Sequence, residues 1–138
     1  MRKLHFSLVC SLLCLSMAGA TPIFFSPKVQ LPASVVQSSE SVCEPYAKNY
    51  RSAFSTITPV VPKIVCYTGK IAPSAFMTYV VRGIINDGGT FAGARQTFEK
   101  NQNVQTISWL WKDSLIGTIF TWMENSDKIV MVVIKAEP

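Results

Sequence analysis

Between Thr90 and Lys135 four runs rich in β-branched, apolar and aromatic residues read as strands: Thr90–Glu99, Val104–Lys112, Leu115–Glu124 and Lys128–Lys135, the last apolar on both faces. A period of two marks half-buried strands. The linking segments "KNQN", "DS" and "NSD" are short and polar, as hairpin connections are. Links this short force neighbouring strands to run antiparallel. The pattern therefore predicts a four-stranded antiparallel meander.

Upstream the period changes. Tyr46, Tyr50, Ala53, Phe54 and Ile57 fall on one face of a helix opening near Ser41 and ending before Pro59, with Glu44 and Pro45 in its first turn. "KIVCYT" at 63–68 reads as a short strand closed by Gly69-Lys70. A second helix is expected from an N-cap at Ser74, carrying Phe76, Met77, Val80, Val81, Ile84 and Ile85. "NDGG" at 86–89 supplies its stop, with Gly88 or Gly89 in the left-handed conformation. The predicted fold class is α+β: an N-terminal helix and short strand, then a helix packed on the four-stranded meander, all within one domain at 41–138. Residues 21–40, "TPIFFSPKVQLPASVVQSSE", hold three prolines and four serines without a sustained period, and read as an irregular leader or tether in which Phe24-Phe25 is a possible docking pair.

Strand register decides where the three tryptophans point. With Asp113-Ser114 as a two-residue turn, Trp111 stands opposite Ile116, Trp109 opposite Thr118 and Ile107 opposite Phe120. One face then collects Ile107, Trp109, Trp111, Ile116, Phe120 and Trp122. A two-residue turn between Glu124 and Asp127 adds Ile129, Met131 and Val133. Left in water, so large an apolar face would be exceptional for a soluble monomer. Burial at roughly 1.5–3 kcal/mol per large side chain makes it the expected core. The second helix is the expected cover, through Phe76, Val80 and Ile84. The sharper alternative is a groove between helix and sheet lined by Trp109, Trp111, Phe120 and Trp122, suited to an apolar ligand or peptide.

Composition narrows the chemistry. Arg2 and Lys3, an apolar stretch from Phe6 to Met17 and the small residues Ala18-Gly19-Ala20 read as a signal peptide over 1–20, with Thr21 the new N-terminus. That apolar run is shorter than the roughly 20 residues a membrane span needs, so no transmembrane segment is expected after cleavage and the protein is placed in the periplasm or outside the cell. The formal charge is +5. Cleavage removes two of the bases, and the mild, scattered remainder gives no reason to expect nucleic acid as a partner. His5, the single histidine, leaves with the signal. No Ser-His-Asp, Cys-His or histidine-metal chemistry then remains to the chain, and neither metal nor cofactor is expected. Of four cysteines, Cys43 and Cys66 survive cleavage, and an oxidising compartment favours a disulfide between them, contributing roughly 3 kcal/mol.

"GGTFAG" at 88–93 precedes a strand instead of opening a helix, so it is no phosphate-binding loop. Asp113, Glu124 and Asp127 fall in or beside turns, which accounts for them without catalysis. In layout alone, the helix and meander over 74–135 resemble cystatin-type inhibitors and helix-grip domains, although the glutamine-valine-x-valine-glycine loop of cystatins has no counterpart here. The expected function is a small exported, non-catalytic domain that binds a ligand, a peptide or an envelope protein. The alternatives are a carboxylate-dependent enzyme using Asp87 and Glu99, and an assembly module working through an exposed strand edge.

Overall fold

The computed structural model describes residues 21–47 and 62–136. Among them are eight strands in two sheets. The strands are β1 (Thr21–Ile23), β2 (Ser26–Leu31), β3 (Val35–Ser38), β4 (Lys63–Lys70), β5 (Thr90–Glu99), β6 (Gln102–Trp111), β7 (Ser114–Met123) and β8 (Lys128–Ala136). Residues 40–47 are helical, here α1, and Pro73–Asn86 form α2. The β1–β2 hairpin is a separate two-stranded sheet. The other six strands form one antiparallel sheet in the order β3-β4-β8-β7-β6-β5.

The expected α+β class is thereby corrected. The chain is mostly β, and the four-stranded meander is one part of a six-stranded sheet. The strand read at "KIVCYT" pairs along its whole length with β8, and β3 adds itself beyond it. Residues 21–38 are strands and not an irregular tether. A sheet of six strands is about 24 Å wide, whereas a helix is about 10 Å across. One helix cannot cover that face. The hairpin lies beside α2 and completes the cover, placing Ile23, Phe25, Val29 and Leu31 in the same core as Phe76, Val80 and Ile84.

The meander runs close to expectation. Trp122 pairs with Ile129, so Ile129, Met131 and Val133 join the tryptophan face. The β6–β7 turn is Lys112-Asp113 instead of Asp113-Ser114, which sets Trp111 opposite Ser114 and Trp109 opposite Ile116. Moving a turn by one residue slides the pairing by two, and two is the period of the strand. Every side chain therefore keeps its face. Helix α2 starts at Pro73, with Ala72 as a cap that makes no side-chain bond, in place of Ser74. Proline suits the first helical position because its φ is already helical and its missing N–H is not needed there. The helix ends in a Schellman motif: Gly88 has φ +97°, its N–H donates to the Ile85 carbonyl, and the Gly89 N–H donates to the Ile84 carbonyl.

The reverse face of the sheet carries a smaller core. Cys43 and Ala47 of α1 pack on Ile119, Val132 and Ile134. Cys43 is bonded to Cys66 of β4, with Cα atoms 5.7 Å apart and a sequence separation of 23. The link fastens the helix to the sheet. The expected remainder of the first helix, from Tyr50 to Ile57, lies outside the described residues, as does the expected signal segment.

Candidate functional site

The four aromatic residues singled out from the sequence do not form one open groove. Trp109 and Phe120 are fully buried. The Trp109 Nε1–H donates to Thr118 Oγ1 at 3.0 Å, and that hydroxyl donates onward to the Ile107 carbonyl at 3.4 Å. Phe120 meets Phe76 of α2 edge-on, ring centroids 6.0 Å apart. Trp111 and Trp122 are half-buried against the same core. Phe25 packs edge-on against Trp111 at 5.8 Å, and the Lys112 ammonium lies 4.3 Å from the Trp111 ring centroid. Any contact these rings make with a ligand must come through Trp111 and Trp122.

Asp87 and Glu99 are not brought together. Asp87 caps α2 just before β5 begins, and Glu99 is the last residue of β5, a strand about 30 Å long. The Asp87 carboxylate accepts a hydrogen bond from the Ser26 hydroxyl. Asp113 and Asp127 sit in turns at opposite ends of β7. Among the described residues no three His, Cys, Asp or Glu side chains converge as metal ligands do.

Two features stand out on the surface. The first is β5, ten residues long, paired with β6 on one side and, among the described residues, unpaired on the other. Phe91 stands opposite the buried Trp109 and is 57 % exposed; Phe98 stands opposite Asn103 and is 55 % exposed. Both belong to the tryptophan face, and half-buried Trp122 lies one strand beyond Asn103 on that face. Leu110 of β6, on the reverse face, is 51 % exposed. The open edge thus has large apolar side chains on both sides.

The second is a cleft of about 840 Å³ between β2 and the outer side of α2. Lys28 and Gln30 contribute from β2; Ser74, Thr78, Tyr79, Arg82 and Asn86 contribute from α2. Reading 21–40 as a tether hid the strand half of this site. The available signal was Lys28-Val29-Gln30-Leu31, polar and apolar in strict alternation.

Among the described residues, fold and surface together define a small, mostly β, disulfide-bonded domain with a long sheet edge at β5 and a cleft beside α2. Comparison with known protein families, with curated proteins and with solved structures finds no match to this chain.

Proposed function

We propose that the protein is a small exported, non-catalytic binding domain that takes an extended segment of a partner protein along the open edge of β5. One observation carries this reading: the long unpaired edge is flanked by Phe91, Phe98 and Leu110, each more than half exposed. An open edge offers a row of backbone donors and acceptors to an incoming strand, and side chains on both faces supply affinity and selectivity. Apolar groups grouped at such an edge are a costly surface unless something covers them part of the time. The distance along β5 between Asp87 and Glu99 argues against the carboxylate-enzyme alternative. The Cys43–Cys66 bond fits a secreted or periplasmic location, where disulfides persist. No described helix is long and apolar enough to cross a membrane.

Site-specific photocrosslinking in the producing cell tests the reading. A benzoylphenylalanine at position 98 is expected to give a protein adduct that is absent from position 85 on α2, where Ile85 is equally exposed. Ala94→Lys, which places a charge in the middle of the edge strand, is expected to abolish the adduct. No adduct at 98, or equal adducts at 98 and 85, would overturn the proposal.

A further inference from the structure

We infer that the β2–α2 cleft is a binding site for a small polar molecule carrying a phosphate or carboxylate group. The site is independent of the β5 edge and is built from the packing of two elements. On α2, Ser74, Thr78, Arg82 and Asn86 follow one another at intervals of four, a spacing that stacks them in one column along the helix. Ala75, Tyr79 and Gly83 form the adjoining column. On β2, Lys28 and Gln30 point to the same side because strand side chains alternate, while Val29 between them turns into the core.

Gly83 allows the two elements to approach. A Cβ at that position would stand 2.9 Å from Val29 Cγ1, closer than carbon atoms pack. The Tyr79 hydroxyl donates a hydrogen bond to the Gln30 carbonyl, holding helix to strand inside the cleft. At the C-terminal end of α2, the Ser26–Asp87 hydrogen bond makes a second tie to β2. The cleft walls are tied at two points, one at mid-helix and one at its C-terminus.

The charge inside is of one sign. Lys28 and Arg82 are its only charged lining residues, and neither forms an ion pair with a described residue. Two cations line one cleft and no carboxylate lines it with them, so an anion entering there is attracted by both. Arg82 offers the planar fork that matches a carboxylate or phosphate with two parallel hydrogen bonds, and Lys28 supplies a mobile point charge. The hydroxyls of Ser74 and Thr78 and the amide of Asn86 provide neutral hydrogen-bonding groups for the rest of the molecule. The exposed Tyr79 ring offers a flat apolar surface. A volume of about 840 Å³ falls in the range of small-molecule sites and exceeds what a lone inorganic ion fills. The chemistry therefore points to an oxyanion attached to a hydroxyl-bearing organic body.

The test is a titration of the 15N-labelled mature chain followed by amide NMR. The probes are inorganic phosphate, citrate and a sugar phosphate, with sodium chloride at matched ionic strength as the control. Saturable shifts confined to Gln30, Thr78, Tyr79, Arg82 and Gly83 are expected, with the sugar phosphate binding tighter than phosphate alone. Arg82→Gln is expected to weaken its binding by about tenfold or more and Lys28→Gln by several-fold. Both residues are exposed, so their replacement leaves the fold intact and the unfolding midpoint unchanged. Shifts that match the chloride control, or affinity that survives Arg82→Gln, would overturn the inference. Vesicles of phosphatidylglycerol form a separate arm. Arg82-dependent sedimentation with vesicles and no response to the soluble anions would assign the cleft to a lipid headgroup and overturn the small-molecule reading.

Discussion

Tyr67 is the residue whose surroundings demand most of the protein. It lies on β4 opposite Met131, fully buried, and its hydroxyl finds no well-aligned hydrogen-bond partner among the described residues. Burial pushes its pKa from 10.0 up to about 12, and the nearby Phe24 backbone offsets only part of that rise. Between these values the unfolded chain has released the phenolic proton and the folded chain still holds it. Stability therefore falls as pH rises through that window, by roughly 1.4 kcal/mol for each pH unit. Comparing urea unfolding of the protein and of Tyr67→Phe from pH 8 upward isolates this residue. The variant is expected to match or exceed the parent by about 1 kcal/mol at pH 8, because an orphaned hydroxyl is removed. Its advantage is expected to widen above pH 10, and a constant gap would contradict the assignment. Trp109 shows how much of this scale is readable from sequence. Its face followed from strand alternation, and burial followed from the size of that face. The partial exposure of Trp111 and Trp122 did not follow, since Phe25, which packs on Trp111, arrives from the hairpin.

Elements were legible where local rules act alone. The helix stop at Gly88-Gly89 and all four meander strands follow from spacing and turn chemistry, and their observed bounds lie within a few residues of expectation. The β5–β6 turn illustrates a local cost that the fold tolerates. Lys100 and Asn101 both have positive φ, at 51° and 62°, in a two-residue turn closed by the Glu99–Gln102 pair. Such a turn favours asparagine then glycine. The double substitution Lys100→Asn with Asn101→Gly is expected to raise stability by about 1 kcal/mol, read as a higher thermal midpoint. An unchanged or lowered midpoint would mean that the lysine makes a compensating contact. Strands β1 to β3 escaped sequence reading because Pro22, Pro27 and Pro32 break the alternation. Two of these prolines sit in a two-stranded sheet, where a missing N–H can face outward, and the third lies between β2 and β3.

At the scale of the molecule, the hairpin decides whether the sheet has a closed core. Ile23, Phe25, Val29 and Leu31 are nearly fully buried. At roughly 1.5–3 kcal/mol each they contribute about 6–12 kcal/mol, comparable with the whole stability of a small domain. Deleting residues 21–31 is expected to abolish cooperative urea unfolding followed by tryptophan fluorescence. A tether in that position would leave the unfolding midpoint where it was. Deletion also removes Lys28 and Gln30, so the cleft exists only in the intact chain.

Sequence by itself determined which side chains share a face, where the second helix stops, and that Cys43 and Cys66 are partners. Each depends on spacing along one stretch of chain or on the count of available groups. Tertiary structure alone decided that six strands join in one sheet, that residues 21–31 help to cover it, and that Lys28 and Arg82 line one cleft. Those outcomes depend on how wide an apolar surface must be hidden and which distant segment fits over it. Area and shape are set by all the strands together, and no local period records them.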